Sequence, residues 1–149
     1  MMWNIREHKK TAVIAGCGRL GSSLACLLES EGYDVIVIDV NPNAFQRLEE
    51  NFGGFQIQGD ASDWTVLERS SIQECTLLLA VTNDDNINCM IALIGSVIYH
   101  IDQVYTRLQD PSRECLLDAT NIKAIYPARL SLQEFEKISH IKMKGSSTV

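Results

Sequence analysis

The chain has 149 residues, 46% of them hydrophobic, with only 9 glycines and 3 prolines, so it is long and apolar enough to fold as one domain. The formal net charge of −6 and the lack of a basic stripe argue against a protein that binds the phosphate backbone of nucleic acids, and we expect no nucleic-acid partner. No apolar stretch reaches the length of about 18 residues that a membrane span needs, and the charged residues 1–10 do not form a signal peptide.

Short apolar runs alternate with helical patterns along the chain from residue 11. The apolar runs predict six strands, at residues 11–15, 34–39, 54–58, 75–81, 103–108 and 123–126. Helical spacing predicts a helix after each strand: from Leu20 to a glycine cap at Gly32, from Pro42, at 63–69, at 85–99, from Pro111, and from Pro127 to about His140. In the helix at 85–99, we expect one apolar stripe in the core or at a subunit contact: Ile87, Ile91, Ile94 and Ile98.

Strand and helix thus alternate six times, and each connection is long enough to join parallel strands. This order predicts an α/β fold of the Rossmann type, a doubly wound, mostly parallel six-stranded sheet with helices on both faces. We expect an N-terminal extension at 1–10, a nucleotide-binding domain at 11–126, a C-terminal helix at 127–141 and a flexible tail at 142–149.

A glycine run lies between the first strand and the first helix, GCGRLG at residues 16–21. In this context it matches the dinucleotide-binding fingerprint. Gly16 permits the tight turn, Gly18 lets the backbone approach a pyrophosphate, and Gly21 lets the helix pack against the strand. The N–H groups and the positive end of the helix dipole would attract phosphates. A helix start can lower the pKa of a thiol such as that of Cys17, but one thiol in a glycine loop is more often incidental than catalytic.

An acid, Asp39, ends the second strand, where it would accept hydrogen bonds from the ribose hydroxyls and repel a 2′-phosphate. NADP is therefore disfavoured. The fingerprint does not separate NAD(H) from ATP, ADP or AMP, because all of them contain adenosine and phosphate. On these residues alone, a glycine turn that packs a helix and binds nothing stays open as the alternative.

Five stretches extend the pattern beyond the fingerprint, in order and spacing: IAGCGRLG at 14–21, VID at 37–39, GDASD at 59–63, LAVTNDDN at 79–86 and RLQDP at 107–111. With these motifs the chain resembles the regulatory nucleotide-binding domain (KTN, RCK N-terminal or TrkA-N-like) of potassium uptake systems and ligand-gated potassium channels. The resemblance covers residues 11 to about 130.

The resemblance implies roles for individual residues. Asp39 would hold the ribose, Asp60 and Ala61 would lie against the adenine, and Arg19 would face the phosphates. Thr82, Asn83 and Arg107 would border the ligand, although Tyr105 and Thr106 before Arg107 depart from the small residues common in the family. The candidate cofactor site is Gly16, Cys17, Gly18, Arg19, Leu20, Gly21, Asp39, Val40, Asp60, Ala61, Thr82, Asn83 and Arg107.

Two functions remain in view. The first, implied by the resemblance, is a nucleotide-sensing regulatory subunit, cytoplasmic and held at the inner face of the membrane by a potassium transporter or channel subunit. The last helix presents Leu130, Phe135, Ile138 and Ile141, which predicts a homodimer or a larger even oligomer. The second is the cofactor domain of an NAD-dependent oxidoreductase. His8, His100 and His140 are isolated, so we expect no metal site, and we expect no catalytic residue.

Overall fold

The computed structural model describes residues 9–145. Most of the proposed N-terminal extension at 1–10 and part of the proposed tail at 142–149 lie outside these residues. In the described part, six strands alternate with helices: β1 (Thr11–Ala15), α1 (Arg19–Ser30), β2 (Asp34–Asp39), β3 (Phe55–Gln58), α2 (Trp64–Arg69), β4 (Leu77–Ala80), α3 (Asp85–Leu93), β5 (Gln103–Arg107), β6 (Ile122–Ile125) and α4 (Pro127–Ser139).

The strands form one sheet in the order β3-β2-β1-β4-β5-β6, and every neighbouring pair is parallel. The chain builds outward from β1 to β3 and then returns to the other side of β1 with β4, so the strand order reverses between β1 and β4. In open parallel sheets the crevice at such a reversal, at the carboxyl ends of the strands, is where ligands bind. The predicted Rossmann-type fold is confirmed.

The sheet is covered on both faces because successive side chains of β1 point in opposite directions. Ala12 and Ile14 belong to a core cluster that includes Ala25 of α1. Val13 and Ala15 belong to a second cluster, formed with buried residues of α2 and α3. Both faces of β1 are therefore buried from solvent, which explains why its sequence is almost entirely apolar.

Two of the predicted helices are short 3₁₀ segments instead of α-helices: Pro42–Arg47 between β2 and β3, and Pro111–Leu117 between β5 and β6. The side chains of Asn41 and Asp110 cap them, as their sequence suggests. Within each segment only one residue, Ala44 or Leu117, is buried. Without a longer apolar stripe, little packing energy favours further α-helical turns.

The helix predicted at 85–99 is α-helical only as far as Leu93, and Ile94–Ile98 winds as a π-helix. Gly95 lies in this wider turn against β4, where an added Cβ would stand 2.3 Å from Cδ2 of Leu78. Because a π-helix has more residues per turn than an α-helix, the predicted apolar stripe no longer stays on one face. Ile91 is fully buried, whereas Ile98 is 50% exposed.

No helix among residues 9–145 combines the length and the apolar composition that a bilayer crossing requires.

Candidate functional site

The three glycines of the loop after β1 differ in what surrounds them. At Gly16 the backbone has φ 105°, and an added Cβ would stand 2.8 Å from the carbonyl oxygen of Val81. At Gly21 an added Cβ would stand 1.9 Å from the carbonyl oxygen of Gly16. At Gly18 an added Cβ would meet no atom within 4 Å. Gly16 and Gly21 are therefore required by the fold, while Gly18 leaves open space that the fold does not use.

The N-terminus of α1 has free hydrogen-bonding capacity at this open space. Gly18 is the N-cap residue, no side chain caps the helix, and no acidic residue lies in its first turn. An uncapped helix start has N–H groups without partners and the positive end of the helix dipole, and both favour an anion. The space beside Gly18 thus fits a phosphate group.

The carboxylate of Asp39 joins the end of β2 to the glycine loop. Oδ2 accepts a hydrogen bond from the backbone N–H of Cys17 at 2.7 Å, and Oδ1 accepts one from the N–H of Asn41 at 2.8 Å. A carboxylate can accept about four hydrogen bonds, so each oxygen keeps acceptor capacity. Asp39 therefore has acceptors left for a pair of ribose hydroxyls, and its geometry fits the predicted role.

These features line one cleft of about 400 Å³ at the carboxyl ends of β1, β2 and β4, which we call the first cleft. It brings together most of the predicted site residues: Gly16, Cys17, Gly18, Asp39, Val40, Asp60, Ala61, Thr82 and Asn83. It also contains residues that the sequence did not single out as ligand neighbours: Ile38, Asn41, Ala44, Arg47, Gly59, Val81, Asp84 and Ile87. Val40 is 63% exposed, so it forms the rim.

Three predicted residues lie in an adjoining cleft, and one lies in neither. Arg19, Leu20 and Arg107 line a second cleft of about 500 Å³, together with Gly18, Arg47, Asn83, Ile125, Pro127 and Leu130. Gly21 is buried behind the loop, where it contacts the backbone of Gly16. The structure thus divides the predicted set into first-cleft residues, second-cleft residues and one packing glycine.

The start of α1 does not lower the pKa of the Cys17 thiol. The Cys17 side chain is buried in the core cluster beside α1. Burial, with a smaller contribution from the nearby Asp39 carboxylate, raises the pKa of the thiol to about 11. The raised pKa favours the neutral thiol, and the part of Cys17 that contacts Asp39 is its backbone N–H.

A buried amide, Asn88 on α3, fixes the far side of the first cleft. Its Oδ1 accepts from the Thr82 N–H at 2.8 Å and from the Thr82 hydroxyl at 2.6 Å. Its Nδ2 donates to the carbonyl oxygens of Thr82 at 3.0 Å and Arg107 at 2.9 Å. Asn88 thereby ties the end of β4 to the end of β5. The signal that could have indicated it is an amide that stands between the apolar residues Ile87 and Cys89 in the helix after β4.

The acids at the cleft edge have local partners. Asp84 is the N-cap of α3 and accepts from the N–H groups of Asn86 and Ile87. Asp60 accepts hydrogen bonds from the N–H and the hydroxyl of Ser62, both at Oδ1, so its Oδ2 can accept from other donors.

Among residues 9–145, no group of three or more metal-ligating side chains is placed to hold a metal ion.

A family model described as the TrkA-N domain matches residues 12–127. The Trk system potassium uptake protein TrkA of Streptomyces coelicolor is 36% identical over 117 residues, which are 78% of this chain and 52% of that protein. The TrkA homolog of Pyrococcus horikoshii is 30% identical over 123 residues, 82% of this chain and 54% of that protein. This chain therefore spans about half the length of either relative.

Solved structures share the fold. The TrkA-N domain of the Escherichia coli inner membrane protein ybaL has a TM-score of 0.74 at 16% identity, over 89% of this chain and 98% of that one. The Kef CTD of Shewanella denitrificans in its AMP-bound form has a TM-score of 0.66 at 19% identity, over 91% and 83%. The GsuK channel bound to NAD has a TM-score of 0.66 at 19% identity, over 87% and 23%.

Proposed function

Because the chain belongs to the TrkA-N domain family, we propose that it is the nucleotide-sensing part of a potassium transport system. It binds NAD(H) or an adenine nucleotide (ATP, ADP or AMP) in the first cleft. The observation that carries this proposal is the open space at Gly18, which lies between an uncapped helix start and the carboxylate of Asp39. Kef and GsuK, which share the fold, are the neighbours solved with AMP and with NAD.

In this proposal the residues of the first cleft divide the ligand among them. The first turn of α1 and the backbone at Gly18 hold the phosphate, since they have unpaired N–H groups and no opposing Cβ. Asp39 holds the ribose hydroxyls with the acceptor capacity that Cys17 and Asn41 leave free. Asp60 and Ala61 border the adenine. A 2′-phosphate beside Asp39 would meet a like charge, so the cleft favours NAD over NADP.

The proposed output is a population shift and no chemical step. A ligand that binds two arrangements of an assembly with unequal affinity moves the balance between them. We assign the contact with other subunits to α4, none of whose residues is buried. Phe135 and Ile138 on this helix are 52% and 67% exposed, which suits a homodimer or a larger even oligomer. The membrane partner is a potassium transporter or channel subunit, with this chain on the cytoplasmic side.

Ligand choice tests the proposal at the Asp39 carboxylate. We expect NAD, NADH, ATP, ADP or AMP at 100 times its dissociation constant to stabilise the folded chain by roughly 2.7 kcal/mol in a thermal-shift panel. Asp39→Ala should weaken NAD binding by about 1–3 kcal/mol and narrow its advantage over NADP, because a charge-assisted hydrogen bond to the ribose is lost. Asp34→Ala, at the opposite end of the same strand, is the matched control. A wild-type preference for NADP would contradict the ribose assignment.

A further inference from the structure

Two of the five cysteines lie on segments that pack against each other: Cys89 on α3, and Cys115 in the 3₁₀ segment Pro111–Leu117. Cys89 shares a buried cluster with Leu117, the last residue of that segment. Cys89 also lines an apolar groove together with Leu116, the residue after Cys115. The fold therefore places the end of the segment that bears Cys115 directly against Cys89.

The start of the same segment is also fixed to α3. The carboxylate of Asp85 accepts hydrogen bonds from the backbone N–H groups of Gln109 at 2.9 Å and Asp110 at 2.8 Å. Because Asp85 and Cys89 are four residues apart on one helix, they lie on the same face of α3. That face holds both ends of the segment, and Cys115 lies between those ends.

The two thiols differ in their access to solvent. Cys89 is only 3% exposed, and burial, with smaller contributions from the nearby Asp85 and Cys115, raises the pKa of its thiol. Cys115 is exposed, and its thiol donates a hydrogen bond to the carbonyl oxygen of Ser112 at 3.3 Å. An oxidant in solution therefore reaches Cys115 first, because exposed thiols are oxidised before buried neutral ones.

The segment that bears Cys115 is free to move toward α3. Leu117 is its only buried residue, while Glu114, Cys115 and Leu116 are all exposed. A shift of Cys115 toward α3 therefore removes little buried surface. We propose that Cys89 and Cys115 are a redox-sensitive pair, which a hydroperoxide converts into an intramolecular disulfide. This proposal does not depend on the proposed function.

The reaction has two steps, and hydrogen peroxide is the simplest oxidant for it. The Cys115 thiolate attacks a peroxide oxygen, so that an S–O bond forms and the O–O bond breaks. The sulfur is oxidised to a sulfenic acid, and the leaving hydroxide takes up a proton to become water. The Cys89 sulfur then attacks the Cys115 sulfur, the S–S bond forms, and the S–O bond breaks. The second hydroxide leaves as water with the Cys89 proton, so one peroxide is reduced to two waters.

The disulfide would join the segment after β5 to the helix that supports the first cleft. Cys89 follows Asn88, whose Oδ1 accepts hydrogen bonds from the N–H and the hydroxyl of Thr82. Thr82 lines the first cleft. Oxidation at Cys115 would therefore act on α3 next to the residue that fixes the end of β4.

Thiol mapping after peroxide treatment tests the pair. The folded, reduced chain is treated with hydrogen peroxide, its remaining thiols are blocked with N-ethylmaleimide, and its peptides are mapped by mass spectrometry without reduction. We expect the loss of two of the five alkylatable thiols, one pair of peptides joined through Cys89 and Cys115, and full recovery of both thiols with dithiothreitol. The same treatment in urea should lose this selectivity, because no fold then brings the two cysteines together.

Three variants assign the roles of the two thiols. Cys115→Ser should keep the Cys89 thiol alkylatable, because the buried thiol has no oxidised partner. Cys89→Ala should leave Cys115 as a sulfenic acid, so that dimedone labels at least about threefold more Cys115 than in the wild type. Cys26→Ser, which removes a partly exposed cysteine on α1, should form the disulfide as the wild type does and is the matched control.

The proposal is overturned if both thiols stay alkylatable in the treated wild-type chain, or if Cys115 stops there at the sulfenic acid. It is also overturned if Cys115 pairs with another cysteine or with a second copy of the chain, which a non-reducing gel shows as a doubled mass. Cys89 is buried, so circular dichroism must show that Cys89→Ala is folded. If it is not folded, the exposed-site variant Cys115→Ser decides the question.

Discussion

The first cleft and α4 differ in how completely their residues are hydrogen-bonded or buried within one copy of the chain. In the first cleft, backbone N–H groups at the ends of β1, β2 and β4 are paired with side chains of the same chain, such as Asp39 and Asn88, and only the uncapped start of α1 keeps N–H groups for a ligand. On α4 no residue is buried, and Phe135 and Ile138 are more than half exposed. Ligand recognition can therefore be a property of a single copy, whereas the apolar face of α4 gains burial only from another surface.

This difference separates two kinds of mutation. Changes in the first cleft that keep the fold should alter binding without altering assembly, and changes on α4 should do the reverse. The second cleft is the place where the two regions meet, because Gly18 of the glycine loop and Leu130 of α4 both line it. The predictions below use this separation, starting with the variant that should disturb the molecule most.

Gly21→Ala should unfold or severely destabilise the chain, because its Cβ would stand 1.9 Å from a backbone oxygen that cannot move without breaking the loop. We expect a loss of more than about 4 kcal/mol of the free energy of unfolding, which denaturant titration measures. Ser23→Ala, on the exposed side of the same helix, should change it by less than about 1 kcal/mol. A Gly21→Ala chain of wild-type stability would show that the loop is not fixed by the fold.

A double substitution on α4, Phe135→Glu and Ile138→Glu, should break the proposed assembly while sparing the cleft. Burying an unpaired carboxylate in an apolar contact costs about 3–5 kcal/mol, enough to dissociate a micromolar dimer. Gln133→Glu adds one negative charge on another side of the helix and should leave the assembly intact. Light scattering gives the answer, and a wild-type monomer at micromolar concentration would refute the assembly.

Much of the fold could be predicted from the sequence because local chemistry and the global pattern agree in the first half. β1 and β2 occupy the predicted residues, and Gly16 and Gly21 are glycines for the backbone reasons that the fingerprint implies. The resemblance drawn from the five motifs is confirmed by the family match over residues 12–127. The segments after Pro42 and Pro111 carry α-helical start signals, but they bury too little to extend beyond 3₁₀ turns.

The site was less predictable where its chemistry depends on tertiary packing. No local pattern marks Arg47 as a neighbour of the glycine loop, because the fold brings the turn after β2 to that loop. The thiol of Cys17 stands at a helix start, yet burial decides the direction of its pKa shift. In the sequence Asn88 is one of several polar residues at the start of a helix, and its hydrogen bonds to Thr82 and Arg107 form only when the fold brings the ends of β4 and β5 to α3.

The central claim, that a nucleotide phosphate lies at Gly18, is tested most directly by calorimetric titration of Gly18→Val with ADP. The added side chain meets no protein atom at its Cβ, so the fold should lose less than about 1 kcal/mol while the space for the phosphate is filled. We predict a folded chain, confirmed by its circular dichroism and melting temperature, that binds ADP at least about a hundredfold more weakly than the wild type. A folded Gly18→Val chain with undiminished affinity for ADP would contradict the account, since the ligand would then bind elsewhere.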